Sequence, residues 1–367
     1  MGFENMIYIF LLCVFVALIL ICLRVLWMTR RTPPRSSVYL PSTMQVDDEC
    51  GYVLKPNLNV VIPFGALGQQ FQHCTNSLGC RVSSKCSSEN ISPELFVAGD
   101  SQTFGFGINY HETYAGQLEN QLGKKVLNLG VAGYNLISTF RLVKRFLWLR
   151  PKVVVVGYYY DWSNRNVSRC NPGSSFNCVS VPYVSVFGKK TLPTIRNSKN
   201  NVRSFDVTSN YFSYICGQGK KQAFLRDVYW TVRRLYGNFC LKNNWLSRWK
   251  YFPTPDESQL VTDFLFNIFY GMLKSKGIHL MVVYIPNYFC EKIESAPDDL
   301  VDALKKNKIS LIDMTEDFQR ALERGIDIKV KNDGHLNEIG HKMIAARISE
   351  VYRELFEDSF SPSKVME

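Results

Sequence analysis

Apolar positions divide the sequence into an apolar amino terminus, a polar stretch up to about residue 92, and a longer region of alternating short patterns. The first region contains residues 6–23, a run of eighteen residues without a charge. A helix of that length can cross a bilayer. We therefore expect residues 1–31 to form a single transmembrane anchor.

The flanks of the apolar run indicate that this anchor is not removed. A cleavable signal peptide has a basic start and a small-residue cleavage site. Here the only early charge is Glu4, and the run leads into Arg24, Arg30 and Arg31. Residues 32–46 are rich in Pro and Ser and predict a linker. The folded domain is expected to occupy residues 47–367.

Two observations disagree about the side of the membrane. Arginines after the apolar run favour a cytoplasmic domain, because positive flanks tend to stay inside. The cysteines favour the extracytoplasmic side, since Cys74, Cys80 and Cys86, and also Cys170 and Cys178, are spaced as in short disulfide loops. A zinc site explains these cysteines less well, because no C-x2-C pair occurs. An extracytoplasmic domain is slightly favoured.

Composition and charge narrow the class of protein. The chain is 46% hydrophobic, which is enough for a substantial core, and its net charge is +11. The basic residues are dispersed and no nucleic-acid-binding motif occurs, so we expect a solvated basic surface and no nucleic-acid partner. Asn90 and Asn166 begin triplets of the glycosylation acceptor pattern, in agreement with an extracytoplasmic domain.

Beyond residue 92, apolar runs of strand length alternate with amphipathic helical patterns. The predicted strands are residues 95–98, 125–131, 153–160, 279–285 and 309–314, and the predicted helices are residues 110–122, 136–149, 257–276, 297–306 and 337–356. Alternation of strands and helices produces a parallel sheet. The sequence therefore predicts a three-layer, flavodoxin-like α/β sandwich with a mainly parallel five-stranded sheet.

Two segments depart from this alternation. Residues 47–92 contain only short apolar runs, at 52–54 and 60–62, and predict small strands and turns outside the core. Residues 162–255 form an insertion with one plausible helix at 222–235. Because the insertion follows the third strand, it begins at the carboxyl edge of the sheet, where open α/β sheets bind ligands. We expect it to form a wall or lid over the site.

Gly99, Asp100 and Ser101 directly follow the first strand of the predicted sheet. A serine on a tight strand-to-helix turn exposes its hydroxyl near backbone N–H groups that can stabilise an oxyanion. By itself the triplet is equally consistent with a turn and a helix N-cap.

A second polar cluster, with Asn332, Asp333 and His335, precedes the last predicted helix. A histidine with a carboxylate two residues away can act as a general base held in the correct tautomer. The alternative is a helix cap with a surface histidine. With only five histidines in the chain, the choice of a base is narrow.

Glycines lie between these clusters, in residues 128–135 (NLGVAGYN) at the end of the second strand. Gly133 allows the loop backbone to approach a ligand and to direct an N–H group at it. An ordinary strand-to-helix turn is the alternative.

Together these motifs resemble the SGNH/GDSL hydrolase superfamily, over most of residues 48–358 apart from the insertion. The resemblance is in motif order, spacing and placement at the ends of successive strands. It implies that Ser101 is the nucleophile, that His335 is its base, and that the N–H groups of Ser101 and Gly133 form the oxyanion hole. Residues 51–57 (GYVLKPN) and 76–81 (NSLGCR) are similar to short motifs that precede the hydrolase core in one bacterial branch.

Two positions depart from the family pattern. Tyr160 stands where the third motif normally supplies an oxyanion asparagine, so Asn164, Asn166 or the Tyr160 hydroxyl would have to serve. Loss of one oxyanion donor can lower the rate about 100-fold to 1000-fold. Asn332 stands where the family commonly has an aspartate, three residues before the histidine, which leaves Asp333 to orient the ring.

The resemblance implies a serine esterase or acylhydrolase that needs no cofactor or metal and acts on a lipid, O-acyl glycan or cell-envelope ester. The same residues would transfer the acyl group if a sugar hydroxyl replaced water. A catalytically degenerate member that binds a glycan or a partner protein is the alternative, favoured by Tyr160 and Asn332. Retention of Ser101, Gly133 and His335 favours activity. The sequence predicts no oligomeric state.

Overall fold

The computed structural model describes residues 38–64, 69–83, 92–167, 182–185, 194–196, 202–205, 255–288, 293–331 and 333–357. No helix within these ranges is long and apolar enough to cross a membrane. The predicted anchor, the predicted helix at 222–235, Asn90, Asn332 and eight of the eleven cysteines, among them Cys86, Cys170 and Cys178, lie outside the described residues.

The strands follow the chain in two series, one before and one after residue 92. The first series is β1 (Val38–Pro41), β2 (Met44–Asp47), β3 (Gly51–Leu54), β4 (Asn59–Phe64), β5 (Gln69–Thr75) and β6 (Arg81–Val82). The second is β7 (Leu95–Gly99), β8 (Val126–Gly130), β9 (Val153–Tyr159), β10 (Tyr183–Ser185), β11 (Thr194–Arg196), β12 (Val202–Phe205), β13 (His279–Ile285) and β14 (Ser310–Asp313).

The helices in the described ranges alternate with the strands of the second series. They are α1 (Ser101–Phe104), α2 (Tyr114–Leu122), α3 (Leu136–Phe146), α4 (Trp162–Val167), α5 (Pro255–Lys274), α6 (Asp298–Asn307), α7 (Thr315–Glu323) and α8 (Glu338–Phe356). Side-chain caps fix several of their starts: Asn135 accepts from the N–H of Ser138, and Asn337 accepts from the N–H groups of Ile339 and Gly340.

The central sheet has the topology that the alternation predicts. Strands β8, β7, β9, β13 and β14 lie side by side in that order, and every neighbouring pair is parallel. In order along the chain this is 2-1-3-4-5, the flavodoxin-like arrangement. Strands β7, β8 and β9 are buried at every position, as expected for a sheet covered on both faces. The five predicted strands and their parallel arrangement are confirmed, but they form part of a larger sheet.

Consecutive residues of β9 show the two helical layers. A side chain at Gly157 would meet Thr103 of α1 and Tyr114 of α2. The ring of the next residue, Tyr158, lies 5.1 Å from the ring of Trp162 in α4 and 6.1 Å from that of Phe266 in α5. Because successive strand residues point to opposite faces, these two pairs of helices cover opposite faces of the sheet.

The segment before residue 92 belongs to the sheet, so the prediction that it lies outside the core is wrong. Strand β6 pairs antiparallel with β8, and β5 and β4 continue the sheet, which gives eight strands. Phe71, Cys74 and Arg81 are at most 1% exposed. Of these strands β6 pairs with β8 itself, through Arg81 and Asn128, at an edge that would otherwise be exposed for pairing. Short apolar runs carry no information about such a partner.

Two strands lie within the stretch predicted as a linker. Strand β2 pairs antiparallel with β3, and β1 pairs in parallel with β12, which belongs to the insertion. Pairing with a strand about 160 residues away cannot be read from a Pro- and Ser-rich composition.

The described cysteines are buried and form no disulfide. Cys50, Cys74 and Cys80 are each at most 2% exposed. Burial raises the pKa of the Cys50 thiol to about 12 and that of Cys80 further. The prediction of short disulfide loops is therefore wrong for Cys74 and Cys80, which pack in the sheet region.

Candidate active site

Ser101 is the first residue of α1 and directly follows the turn that ends β7. The carboxylate of Asp100 caps this helix by accepting from the N–H of Gln102 at 3.0 Å. The helix ends after one turn at Gly105, whose φ of 77° is unfavourable for other residues. Gly99-Asp100-Ser101 therefore forms the strand-to-helix turn that the sequence predicts.

Three glycines allow α1 to lie very close to the sheet. Gly99, Gly130 and Gly157 are paired across β7, β8 and β9 in one row. A side-chain carbon at Gly130 would lie 2.7 Å from the Cα of Phe104, and one at Gly99 would lie 2.9 Å from the carbonyl oxygen of Gly157. Only glycines leave room for α1, so this row fixes the height of Ser101 above the sheet.

The side chain of Gln102 connects the serine turn to the histidine loop. Its Nε2 donates to the carbonyl of Gly334 at 3.2 Å, and its Oε1 accepts from the N–H of Leu336 at 3.1 Å. Tyr288 reinforces this contact, because its hydroxyl accepts from Gln102 at 2.8 Å and donates to Gly334 at 2.8 Å. The residue after Ser101 thus binds both neighbours of His335.

His335 is oriented by Asp333. The Nδ1 of His335 contacts Oδ1 of Asp333, and the same oxygen accepts from the backbone N–H of His335 at 2.9 Å. The ring also packs against Phe106, with centroids 5.0 Å apart. With Nδ1 held by the carboxylate, Nε2 is the ring nitrogen left to face a reacting group.

Within the described residues, the Ser101 hydroxyl forms no hydrogen bond, to His335 or to another group. In ligand-free active sites such hydrogen bonds are often long and tighten only when substrate binds.

Gly133 lies in the loop between β8 and α3. Its φ of 83° is in the left-handed region that favours glycine. Two residues earlier, the N–H of Val131 donates to the carbonyl of Gly99 at 3.0 Å. This bond fastens the loop of Gly133 beside the serine turn, at the same edge of the sheet.

The three candidates for a further oxyanion donor differ in position. Tyr160 directly follows β9 and is 37% exposed, and its ring packs edge-on against Tyr159. Asn166 is fully buried, and its Oδ1 accepts from the N–H of Leu136 at 3.0 Å. Asn166 thus holds the start of α3, and burial also makes it unsuitable as a glycosylation acceptor. Asn164 lies in α4, but its side chain is outside the described residues.

Two arginines lie near the site: Arg81, which is part of the sequence motif at 76–81 but was assigned no role there, and Arg165, which was not singled out from the sequence. Arg81 is fully buried, contacts the carbonyl of Phe104 and donates to those of Gly105 at 2.6 Å and Ile108 at 2.5 Å. Arg165 forms ion pairs with Asp100 and Asp161. The spacing of Asp161 and Arg165, four residues apart, was the available sequence signal for the second pair.

No group of three potential metal ligands occurs among the His, Cys, Asp and Glu residues that the structure describes. The groups that the proposed site presents at this edge are a hydroxyl, an imidazole with a carboxylate, and backbone N–H groups.

No family model matches the chain, and no curated protein matches it. Solved structures with a similar arrangement include LAE5, an alpha/beta hydrolase enzyme from the metagenome of Lake Arreo, at 13% identity and TM-score 0.38 over 70% of this chain and 93% of that one. A protein described as lipolytic and of the G-D-S-L family, from Desulfitobacterium hafniense, matches at 12% identity and TM-score 0.31, over 70% of this chain and 98% of that one. Axe2, an acetylxylan esterase from Geobacillus stearothermophilus, matches at 11% identity and TM-score 0.37, over 70% of this chain and 93% of that one. These values are too low to carry a function over to this chain.

Proposed function

We propose that the protein is a serine esterase or acylhydrolase of the SGNH/GDSL type, with Ser101 as nucleophile and His335 as base. The observation that carries the proposal is the pair of hydrogen bonds from Gln102 to Gly334 and Leu336. Gln102 directly follows the proposed nucleophile, and Gly334 and Leu336 are the two neighbours of the proposed base. These bonds therefore join the serine turn to the histidine loop.

The first chemical step forms an acyl-enzyme. Ser101 Oγ attacks the carbonyl carbon of the ester while its proton passes to Nε2 of His335. The tetrahedral intermediate then collapses, the bond to the alcohol oxygen breaks, and the leaving alkoxide takes the proton from His335. The enzyme is left as the ester of Ser101, and the alcohol is released.

Asp333 serves in this step by holding the imidazole. Its carboxylate accepts from Nδ1, which fixes the tautomer and stabilises the imidazolium that forms when Nε2 takes the proton. Asn332, the residue at the commoner family position, is an amide and would stabilise that charge less well.

The backbone N–H groups of Ser101 and Gly133 bind the oxyanion of the tetrahedral intermediate. Support comes from the bond between Val131 and Gly99, which places the two loops side by side. Tyr160 or Asn164 would provide a third donor, whereas Asn166 is already committed to the start of α3.

Water completes the reaction by attacking the acyl-enzyme with His335 as base. An alcohol such as a sugar hydroxyl in place of water would make the protein an O-acyltransferase with the same residues. The substrate class is an ester of a lipid, a glycan or another cell-envelope component, in keeping with a membrane anchor at residues 6–23.

The test compares the full-length protein with Ser101→Ala and with Ser275→Ala, an exposed serine after α5. We expect release of p-nitrophenol from acetate and butyrate esters, and labelling by a fluorophosphonate probe, to be lost in Ser101→Ala and unchanged in Ser275→Ala. Serine-independent turnover, or a folded wild type with neither activity nor labelling, would contradict the proposal. The second outcome would favour a degenerate member that binds a glycan or partner.

A further inference from the structure

Arg165 contacts the serine turn, the Gly133 loop and the residues that follow β9. Its Nη1 lies 2.9 Å from Oδ2 of Asp100 and 3.4 Å from the carbonyl oxygen of Tyr134, which follows Gly133. Its Nε lies 2.8 Å from Oδ1 of Asp161, just beyond the end of β9. The proposed mechanism does not use this side chain.

The pair of Arg165 with Asp100 is shielded from water. Asp100 is fully buried, and the Arg165 side chain is 12% exposed. Burial acts to lower the pKa of Arg165, but the charges of Asp161 and Asp100 outweigh it and hold the pKa above its usual range. In the described part of the chain, Arg165 is the only cation that contacts the Asp100 carboxylate. A buried carboxylate that loses such a partner is strongly unfavourable.

The backbone around Arg165 also holds the loop of Gly133. The carbonyl of Arg165 accepts from Nδ2 of Asn135 at 3.2 Å, and the neighbouring Asn166 accepts from the N–H of Leu136. Helix α4 is thus attached to the carboxyl end of this loop by side chain and backbone together.

Asp100 passes the effect of Arg165 on to the serine turn. One oxygen of Asp100 accepts from Arg165, while the other accepts from the backbone N–H of Gln102. The side chain of Gln102 in turn binds Gly334 and Leu336. A continuous series of contacts therefore runs from Arg165 through the serine turn to the histidine loop.

We infer that Arg165 is a positioning residue of the esterase site: by binding Asp100 and the Tyr134 carbonyl together, it sets the serine turn and the Gly133 loop at the separation that the oxyanion hole requires. The inference rests on the proposed function. It also assigns a role to α4, the first helix of the insertion, which attaches the serine turn to the Gly133 loop.

A positioning role makes a specific kinetic prediction. Arg165 stabilises the arrangement that matters in the transition state, so its loss should lower kcat and leave KM nearly unchanged. Small displacements of donors or nucleophile are costly, so we expect Arg165→Met to lower kcat by about 10-fold to 100-fold. Arg165→Lys keeps the charge but cannot bind Asp100 and the Tyr134 carbonyl together. Its kcat should therefore lie between that of Arg165→Met and that of the wild type.

The experiment measures kcat and KM on p-nitrophenyl butyrate, the rate of fluorophosphonate labelling, and the folded fraction, for the full-length Arg165→Met and Arg165→Lys proteins. Arg145→Met is the matched control. Arg145 also forms an ion pair, with Asp47 at 2.9 Å, but this pair is away from the site. We expect the control to keep its kcat and labelling rate per folded molecule.

A second pair of variants keeps the test decisive if Arg165→Met folds poorly. Asp100→Asn removes the other end of the ion pair but retains an oxygen for the N–H of Gln102. The double variant with Arg165→Met should be no slower than the slower single variant, because both changes remove one contact. Additive losses in kcat, or a normal kcat per folded molecule in either single variant, would overturn the positioning role. A wild type without serine-dependent activity would instead reject the proposed function.

Discussion

Gln102 shows how one side chain can join two motifs that the sequence keeps 234 residues apart. The side chain is 2% exposed, and both its amide nitrogen and its amide oxygen are bound to the histidine loop. Ser101 and His335 could be proposed from motif order alone. Gln102 could not, because a glutamine inside a short helix has no pattern that indicates its partner.

Replacing Gln102 with Met should impair catalysis by releasing the histidine loop. The carbonyl of Gly334 and the N–H of Leu336 would lose their bonds to α1, so we expect kcat to fall about 10-fold or more, with a smaller change in KM. Gln117→Met is the control, since Gln117 also binds backbone carbonyls but between α2 and the start of α8. Steady-state esterase kinetics check the result, and equal activity of Gln102→Met and wild type would show that this contact is dispensable.

At the scale of elements, the strands of the parallel sheet could be predicted from the sequence. The three antiparallel strands that extend this sheet could not. Runs of Val, Ile and Leu, such as residues 153–156, produce buried strands whatever their neighbours are. The addition of β4, β5 and β6 to the sheet depends on packing and on the outer edge of β8. The glycine row under α1 likewise becomes visible only when the register of β7, β8 and β9 is known.

Gly130→Ala should destabilise the protein and displace the serine helix. The added carbon would lie 2.7 Å from the Cα of Phe104, a backbone atom that cannot rotate away. Overpacking of this kind costs about 1–3 kcal/mol, and we expect esterase activity to fall with it. In Gly271→Ala, within α5, the added carbon has no atom within 4 Å, so stability should rise by about 0.5–1 kcal/mol. Urea denaturation compares the two variants, and equal stabilities would refute the close fit of α1.

At the scale of the whole molecule, two buried histidines make folding sensitive to acid. Burial lowers the pKa of His73 and of His341 to about 3, with a smaller contribution from the charge of Arg81. In the described structure both ring nitrogens of His73 and Nε2 of His341 have no hydrogen-bond partner. Neither ring therefore binds a proton in the folded protein near neutral pH.

The free energy of unfolding should fall as the pH is lowered from about 6.5 towards 3. Between these values the unfolded chain binds a proton at each histidine and the folded protein does not, so stability is complete above about pH 6.5 and is lost on acidification. From pH 7 to pH 5 each histidine should remove about 2 kcal/mol. Urea titrations of His341→Asn, which can still accept from Tyr114, should show a shallower dependence.

The matched variant is His111→Asn, an exposed histidine that leaves both buried rings in place. It should keep the pH dependence of the wild type between pH 5 and 7. A dependence that is equally steep in His341→Asn would show that this ring does not control acid stability.

The sequence by itself determined the parallel sheet, the order of its helices and the three motifs at the carboxyl ends of its strands, because these depend on local patterns of apolar residues, glycines and caps. The anchor at residues 6–23 and the roles of Ser101 and His335 stay predictions of the same kind. The tertiary structure decided the rest: the extension of the sheet by three strands to eight, the burial of Cys74 and Cys80, the bridge by Gln102 and the ion pair of Arg165 with Asp100. Each of these depends on a partner distant in sequence or on burial, and burial is a property of the packed molecule that no local pattern specifies.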